Sequence, residues 1–192
     1  MTQSPPRFVS IASGKGGVGK TWFAITLAHA LARRGHRVLL FDGDFGLANV
    51  DIQLGLMPEH DLGSVLSGQV SMANAVSSFA AGGFDVLAGR SGSRALSTLE
   101  PKLLESLLAK LAELGTRYDH VLLDLGAGLD RSARRMAACA DTLLVVATDE
   151  PTSLTDAYAT LNFTQRTDPA EMRVWSSTRS QPRLREIVPP AL

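Results

Sequence analysis

The nine residues from Ser13 to Thr21, SGKGGVGKT, constrain this chain more than any other stretch. Gly14, Gly19, Lys20 and Thr21 fill the frame GxxxxGK[ST], in which a glycine-rich loop wraps a phosphate group with its backbone N–H groups. Phe8 to Ala12 before it is an apolar run with β-branched residues, and Trp22 to Leu31 after it repeats apolar residues at helical spacing. The loop therefore joins a strand to a helix, whose positive dipole end faces the bound anion. In this frame Lys20 reaches the β- and γ-phosphates and the Thr21 hydroxyl ligates Mg²⁺. An ordinary glycine turn before a helix would need all these positions to agree by accident.

Composition limits what surrounds the loop. At 192 residues, 45% hydrophobic and 20% charged, the chain can build one substantial core but not two comfortable domains. Its formal net charge is zero, which disfavours nucleic acid as a standing partner. Cys139 is the single cysteine, so no internal disulfide forms, and the run MAACA suggests a small core residue in a reducing compartment. The segment MTQSPPRFVS has no apolar signal core, and no apolar run approaches membrane-spanning length. A cytoplasmic location is expected.

Strand and helix patterns alternate along the chain, as in an α/β fold whose mostly parallel sheet carries helices on both faces. Gly35 closes the first helix, and Arg37 to Phe41 forms a second strand ending at Asp42. A short helix is expected at Leu62 to Val65, a strand at Asp85 to Ala88, and an amphipathic helix at Pro101 to Leu114 with a wide leucine stripe. His120 to Asp124 and Thr142 to Thr148 suit central parallel strands. Helices are expected at Arg131 to Ala140 and Pro151 to Leu161.

In open sheets of this kind ligands bind at the carboxyl ends of the strands, which singles out Asp42 and Asp124. Asp42 and Asp44 could simply make a turn with Gly43. After an apolar strand, in a chain carrying the phosphate loop, they read as functional carboxylates rather than as a turn alone. Gly126 and Gly128 would let backbone approach the γ-phosphate, or could serve only as turn glycines.

Lys15 is one lysine more than the loop requires. The chain has four lysines against fifteen arginines, and two of the four lie here. KGGVGKT resembles the deviant Walker A loop of the MinD/ParA ATPases, a P-loop NTPase family of the SIMIBI type. FDGDFGLANVDIQLGL, YDHVLLDLGAGL and TDEPTSLTDAY look like its FlhG (FleN, YlxH) branch, the flagellar-number regulators. Together these strings cover roughly residues 8 to 161.

The resemblance implies a dimerisation switch that binds ATP and Mg²⁺ and hydrolyses ATP to ADP and phosphate. It implies that Lys15 reaches the partner subunit's nucleotide, that Lys20 is catalytic and that Asp44 positions the attacking water. Asp42, Thr21 and Asp124 would lie around the metal, with Asp124 as the Walker B acid. The nucleotide-binding set would be Gly14, Lys15, Gly16, Gly17, Val18, Gly19, Lys20, Thr21 and Gly126. An ATP-dependent homodimer and an activating protein are the implied partners, in control of flagellar number or division-site placement. Asn49 and Asp51 belong to the quoted strings without an assigned chemical role; they could cap a local turn.

Other functions fit less well. An iron–sulfur carrier would need paired cysteines, and a tyrosine kinase of this loop type a tyrosine-rich tail. A DNA-partitioning ATPase would need more basic surface than Arg131, Arg134 and Arg135, a cluster typical of a solvated helix face. A non-hydrolysing pseudo-ATPase that only binds partners remains the alternative.

From about Asn162 the pattern changes to a segment rich in Arg, Ser, Thr and Pro. The family would carry a further strand ending in an adenine-contacting asparagine, and a terminal amphipathic helix for the membrane. Prolines 182, 189 and 190 interrupt any such helix, so membrane association is not expected. Codons for Val174 to Ser180 can be chosen so that reading two bases later yields Val-Val-Val-Asn-Gln-Val. Residues 162–192 are thus expected to be frameshift-derived or a disordered tail of low hydrophobicity. Either origin predicts a missing sheet strand, an open edge, weakened nucleotide selectivity and marginal stability.

Overall fold

The computed structural model describes residues 5–89, 100–128, 130–165, 171–176 and 183–186. Among the described residues eight strands form one sheet in the order β3-β4-β2-β5-β1-β6-β7-β8. They are β1 (Arg7–Ala12), β2 (Val38–Gly43), β3 (Val76–Phe79), β4 (Phe84–Leu87), β5 (His120–Leu125), β6 (Thr142–Ala147), β7 (Glu171–Ser176) and β8 (Arg183–Glu186). The six strands from β4 to β7 pair in parallel, and β3 and β8 add antiparallel edges.

The helices are α1 (Lys20–Ala32), α2 (Val50–Leu54), α3 (Leu62–Leu66), α4 (Pro101–Gly115), α5 (Arg131–Ala137) and α6 (Pro151–Gln165), with a 3₁₀ turn at Met72–Ala75. Neighbouring residues on the central strands point to opposite faces, so each strand supplies two cores. Leu39, Phe41, Leu123 and Val145 join the leucines of α4 and the buried residues of α5 and α6. Leu40, Leu122, Leu144 and Val146 pack with Ala24 and Ala28 of α1. Strands buried on both sides explain why HVLLDL and TLLVVA are continuous apolar runs.

The main elements fall where the sequence places them, and four differences carry physical content. β2 continues through Asp42 to Gly43, because both residues remain in register with Asp124 and Leu125 of β5. Cys139 is exposed rather than in the core. α5 ends at Ala137, and Cys139 sits in the following turn with its N–H donated to the Met136 carbonyl. The sheet also does not stop at β6: Glu171–Ser176 pairs with it along six residues, and β8 pairs with β7. The expectation of a missing strand and an open edge at β6 is therefore overturned, since a six-residue ladder needs only backbone groups and tolerates the arginines of this segment. Finally, α2 and β3 are two elements for which the sequence reading above gives no expectation.

Candidate functional site

The phosphate loop leaves the carboxyl end of β1 and enters α1 at Lys20. Gly17 and Gly19 have φ of +78° and +90°, a left-handed region that residues with a side chain rarely adopt. A Cβ placed on Gly16, Gly17 or Gly19 would meet nothing within 4 Å, so packing does not demand these glycines and the space beside them is open. Gly14 differs. Its Cβ would lie 2.4–2.6 Å from Asp156, including backbone atoms of α6, so the loop's first turn is pressed against that helix.

Lys20 and Thr21 are buried at the first turn of α1. Lys20 Nζ donates to Asp124 Oδ1 at 2.6 Å, between side chains only 8% and 0% exposed. The Thr21 side chain lies beside Asp124 and helps hold its carboxyl down against burial. The second oxygen of Asp124, Oδ2, is buried without a hydrogen-bond partner. Burial pushes the Asp124 carboxyl above its ordinary value, with Lys20 pulling it back and Asp44 pushing in the same direction as burial.

Asp42, in register with Asp124 on the adjacent strand, is fully buried. Its carboxylate accepts from the N–H groups of Asp44 at 3.2 Å, Asn49 at 2.9 Å and Val50 at 3.0 Å. Burial nevertheless raises its pKa to about 7; the backbone bonds oppose that shift and Asp124 adds to it. The bonds to Asn49 and Val50 cap the start of α2, so Asp42 shapes the loop as well as facing the site. Asn49 thus contributes its backbone N–H, and its side chain accepts from Gln53.

Asp44 accepts from Gly46 and Leu47 through Oδ1, which closes a tight Asx turn. It lies beside Gly126, where an added Cβ would come within 3.4 Å of Asp44 Oδ1. Gly128 has φ of +82° and donates its N–H to the Ser13 carbonyl at 3.0 Å, tying the loop after β5 to the start of the phosphate loop. Lys15 Nζ stands 3.2 Å from Glu150 Oε2 in an exposed pair ahead of α6. Val18 is buried in the α1-side core and anchors the loop's far half.

The structure therefore brings Lys20, Thr21, Asp42, Asp44, Asp124 and Gly126 to one end of the sheet, and places Lys15 at the rim. These groups fit a polyphosphate with a divalent cation. Asp124 offers an oxygen that nothing else satisfies, Thr21 offers a hydroxyl beside it, and the glycines leave room for anionic oxygens. Sequence reasoning missed the contact between Gly14 and α6, the coupling of Gly128 to Ser13 and the capping role of Asp42. The first two join residues distant in sequence.

The nucleotide-binding domain model of the CobQ/CobB/MinD/ParA family matches residues 9–166. The antiactivator FleN of Pseudomonas aeruginosa is 37% identical over 162 residues, which cover 84% of this chain and 58% of that protein. The flagellum site-determining protein YlxH of Helicobacter pylori is 30% identical, covering 83% of this chain and 54% of its own length. This chain thus spans little more than half the length of these relatives. Among solved structures, the septum site-determining protein MinD of Pyrococcus horikoshii, complexed with Mg-ADP, superposes with a TM-score of 0.73 at 29% identity, covering 84% of this chain and 66% of that one.

Proposed function

Because the chain belongs to the CobQ/CobB/MinD/ParA nucleotide-binding family, we propose that it is an ATP-driven dimerisation switch that hydrolyses ATP slowly to ADP and phosphate. Similarity to FleN, YlxH and MinD supports a role in spatial regulation of flagella or of the division site. The observation that carries the reading is the convergence of Lys20 and Thr21 on buried Asp124, with Asp42 and Asp44 alongside.

Nucleotide entry requires Lys20 to exchange Asp124 for phosphate oxygens, which releases the Asp124 carboxylate towards the cation. Bound Mg²⁺ would neutralise charge developing on the phosphates. Thr21 would supply a hydroxyl to that ion, and Asp124 and Asp42 would supply negative charge around it. Asp44, held by its own turn beside Gly126, aligns the water for in-line attack. Lys15 acts across the interface of a homodimer, so its bond to Glu150 must open when two copies meet. The charge it adds at the partner's nucleotide then couples turnover to dimerisation. An activating protein would set the rate. Among the described residues, no helix is long and apolar enough to cross a membrane.

Calorimetric titration of ATP with Mg²⁺ into the chain, together with phosphate release, tests this reading. Binding with slow release supports the switch. Retained partner binding without ATP binding or phosphate release would select a non-hydrolysing module instead.

A further inference from the structure

α1 begins with three residues placed for different parts of a bound nucleotide. Its first intrahelical bond runs from the Phe23 N–H to the Gly19 carbonyl at 2.9 Å. The N–H groups of Lys20, Thr21 and Trp22 come before it and have no acceptor within the helix. In a phosphate loop such groups cradle the α- and β-phosphates, while the lysine side chain reaches the β- and γ-phosphates and the threonine hydroxyl serves the metal. The Lys20 and Thr21 side chains are buried beside Asp124, on the side of Asp44 and Gly126 where the attacking water belongs. Trp22 is left for the α-phosphate, the end that carries the sugar and base.

The Trp22 side chain is free to use that position. It is 63% exposed, although an indole ring usually contributes its large apolar area to a core or an interface. Among the described residues no hydrogen bond holds its indole N–H and no aromatic ring packs against it; the Thr26 hydroxyl reaches only its backbone carbonyl, at 2.8 Å. Two positions on, Ala24 is fully buried in the α1-side core, so Trp22 projects from nearly the opposite side of the helix. Helical side chains tilt towards the N-terminus, which swings this ring over the phosphate loop rather than down α1. The space beside Gly16, Gly17 and Gly19 in that loop is open.

We propose that Trp22 is the stacking platform for the base of the bound nucleotide, and that it makes the site tolerant of which base is bound. The inference rests on the nucleotide-binding reading above and adds to it the residue that meets the base. Every base offers a π face to an aromatic ring, so stacking contributes affinity with little discrimination. Adenine and guanine nucleotides therefore bind alike, with the phosphates held by the loop and the base by Trp22.

The test is calorimetric titration of the full chain with ATP, GTP and ribose 5-triphosphate, which lacks only the base, each with Mg²⁺. Wild type, Trp22→Phe and Trp22→Ala are compared. ATP and GTP are expected to bind wild type within about fivefold of each other, and Trp22→Ala to weaken both by about five- to a hundredfold, the worth of one base stacked on an aromatic ring. Ribose triphosphate should bind Trp22→Ala as it binds wild type, which also shows that the variant is folded, and Trp22→Phe should keep most of the nucleotide affinity. ATP should quench the fluorescence of wild type but not of Trp22→Phe, in which Trp175 is the remaining tryptophan. Equal ATP affinity in wild type and Trp22→Ala, an equal loss for ribose triphosphate, or a larger preference for one base would overturn the role of Trp22 while nucleotide binding stands. A wild-type chain that binds none of the three ligands would overturn both.

Discussion

Lys20 and Asp124 form a buried ion pair at 2.6 Å in which one carboxylate oxygen is fully committed and the other has no hydrogen-bond partner. Such a pair is satisfied on one side only, and it joins the two residues that the proposed reaction must separate. Replacing Lys20 with Ala leaves a buried carboxylate without its cation, at a cost of about 3–5 kcal/mol while that carboxylate stays ionised. Asp124 already binds its proton more tightly than an ordinary aspartate. The expected loss in urea melts is therefore larger at pH 8 than at pH 5, where protonation relieves the charge, and ATP binding is abolished at both. An equal loss at both pH values would contradict the pairing.

Lys15→Ala should behave in the opposite way. Its bond to Glu150 joins side chains 50% and 60% exposed, so losing it costs at most about 1 kcal/mol. ATP affinity should stay within about threefold of wild type while turnover disappears. Asp44→Ala should share that split between binding and turnover, as read by titration and phosphate release on the same preparation.

Two glycines of one loop should separate stability from binding. Gly14→Ala drives a methyl group into the backbone of α6 at Asp156, and overpacking of this kind costs about 1–3 kcal/mol. Gly16→Ala adds its methyl to open space, so its melting temperature should stay near wild type while nucleotide affinity falls. Differential scanning calorimetry beside ATP titration distinguishes the two.

Asp42 gives the stability profile a definite sign. Its pKa rises from 3.8 in the unfolded chain to about 7 in the fold, so the folded state holds this proton more tightly. Its contribution is undiminished below pH 4, declines as pH rises towards 7, and is level above that. Asp42→Asn should remove this slope; its amide NH₂ takes the place of one accepting oxygen, so it also loses backbone bonds at Asp44 or at the start of α2, and Mg²⁺-dependent ATP affinity falls. His120, whose pKa is lowered by burial and then by His36, works oppositely: its contribution is full above pH 6.5 and falls as pH drops below it. Denaturant melts from pH 4 to pH 8 read both slopes.

How much of this was legible in the sequence follows from where each signal resides. The phosphate loop, the apolar runs of β5 and β6 and the leucine stripe of α4 are local patterns, and they placed the main elements to within a few residues. α2 escaped because it is five residues long and depends on Asp42, seven positions before Asn49, to cap its first N–H groups. β3 is held by antiparallel pairing with β4 rather than by its own alternation. β7 lies in an arginine-rich segment whose place in the sheet comes from the exposed ladder of β6. Within the site, the carboxylates were visible as strand ends, but the contact of Gly14 with Asp156 spans most of the chain.

The central claim is that ATP brings two copies of this chain together through Lys15. Multi-angle light scattering on the full chain with ATP and Mg²⁺, run beside the Lys15→Ala variant, measures it directly. The account predicts that ATP shifts the wild-type mass from 20.4 kDa to twice that value, that ADP does not, and that phosphate release rises with protein concentration and is absent in Lys15→Ala. A wild-type chain that binds ATP, stays at its monomer mass and releases phosphate at the same rate as Lys15→Ala would contradict it.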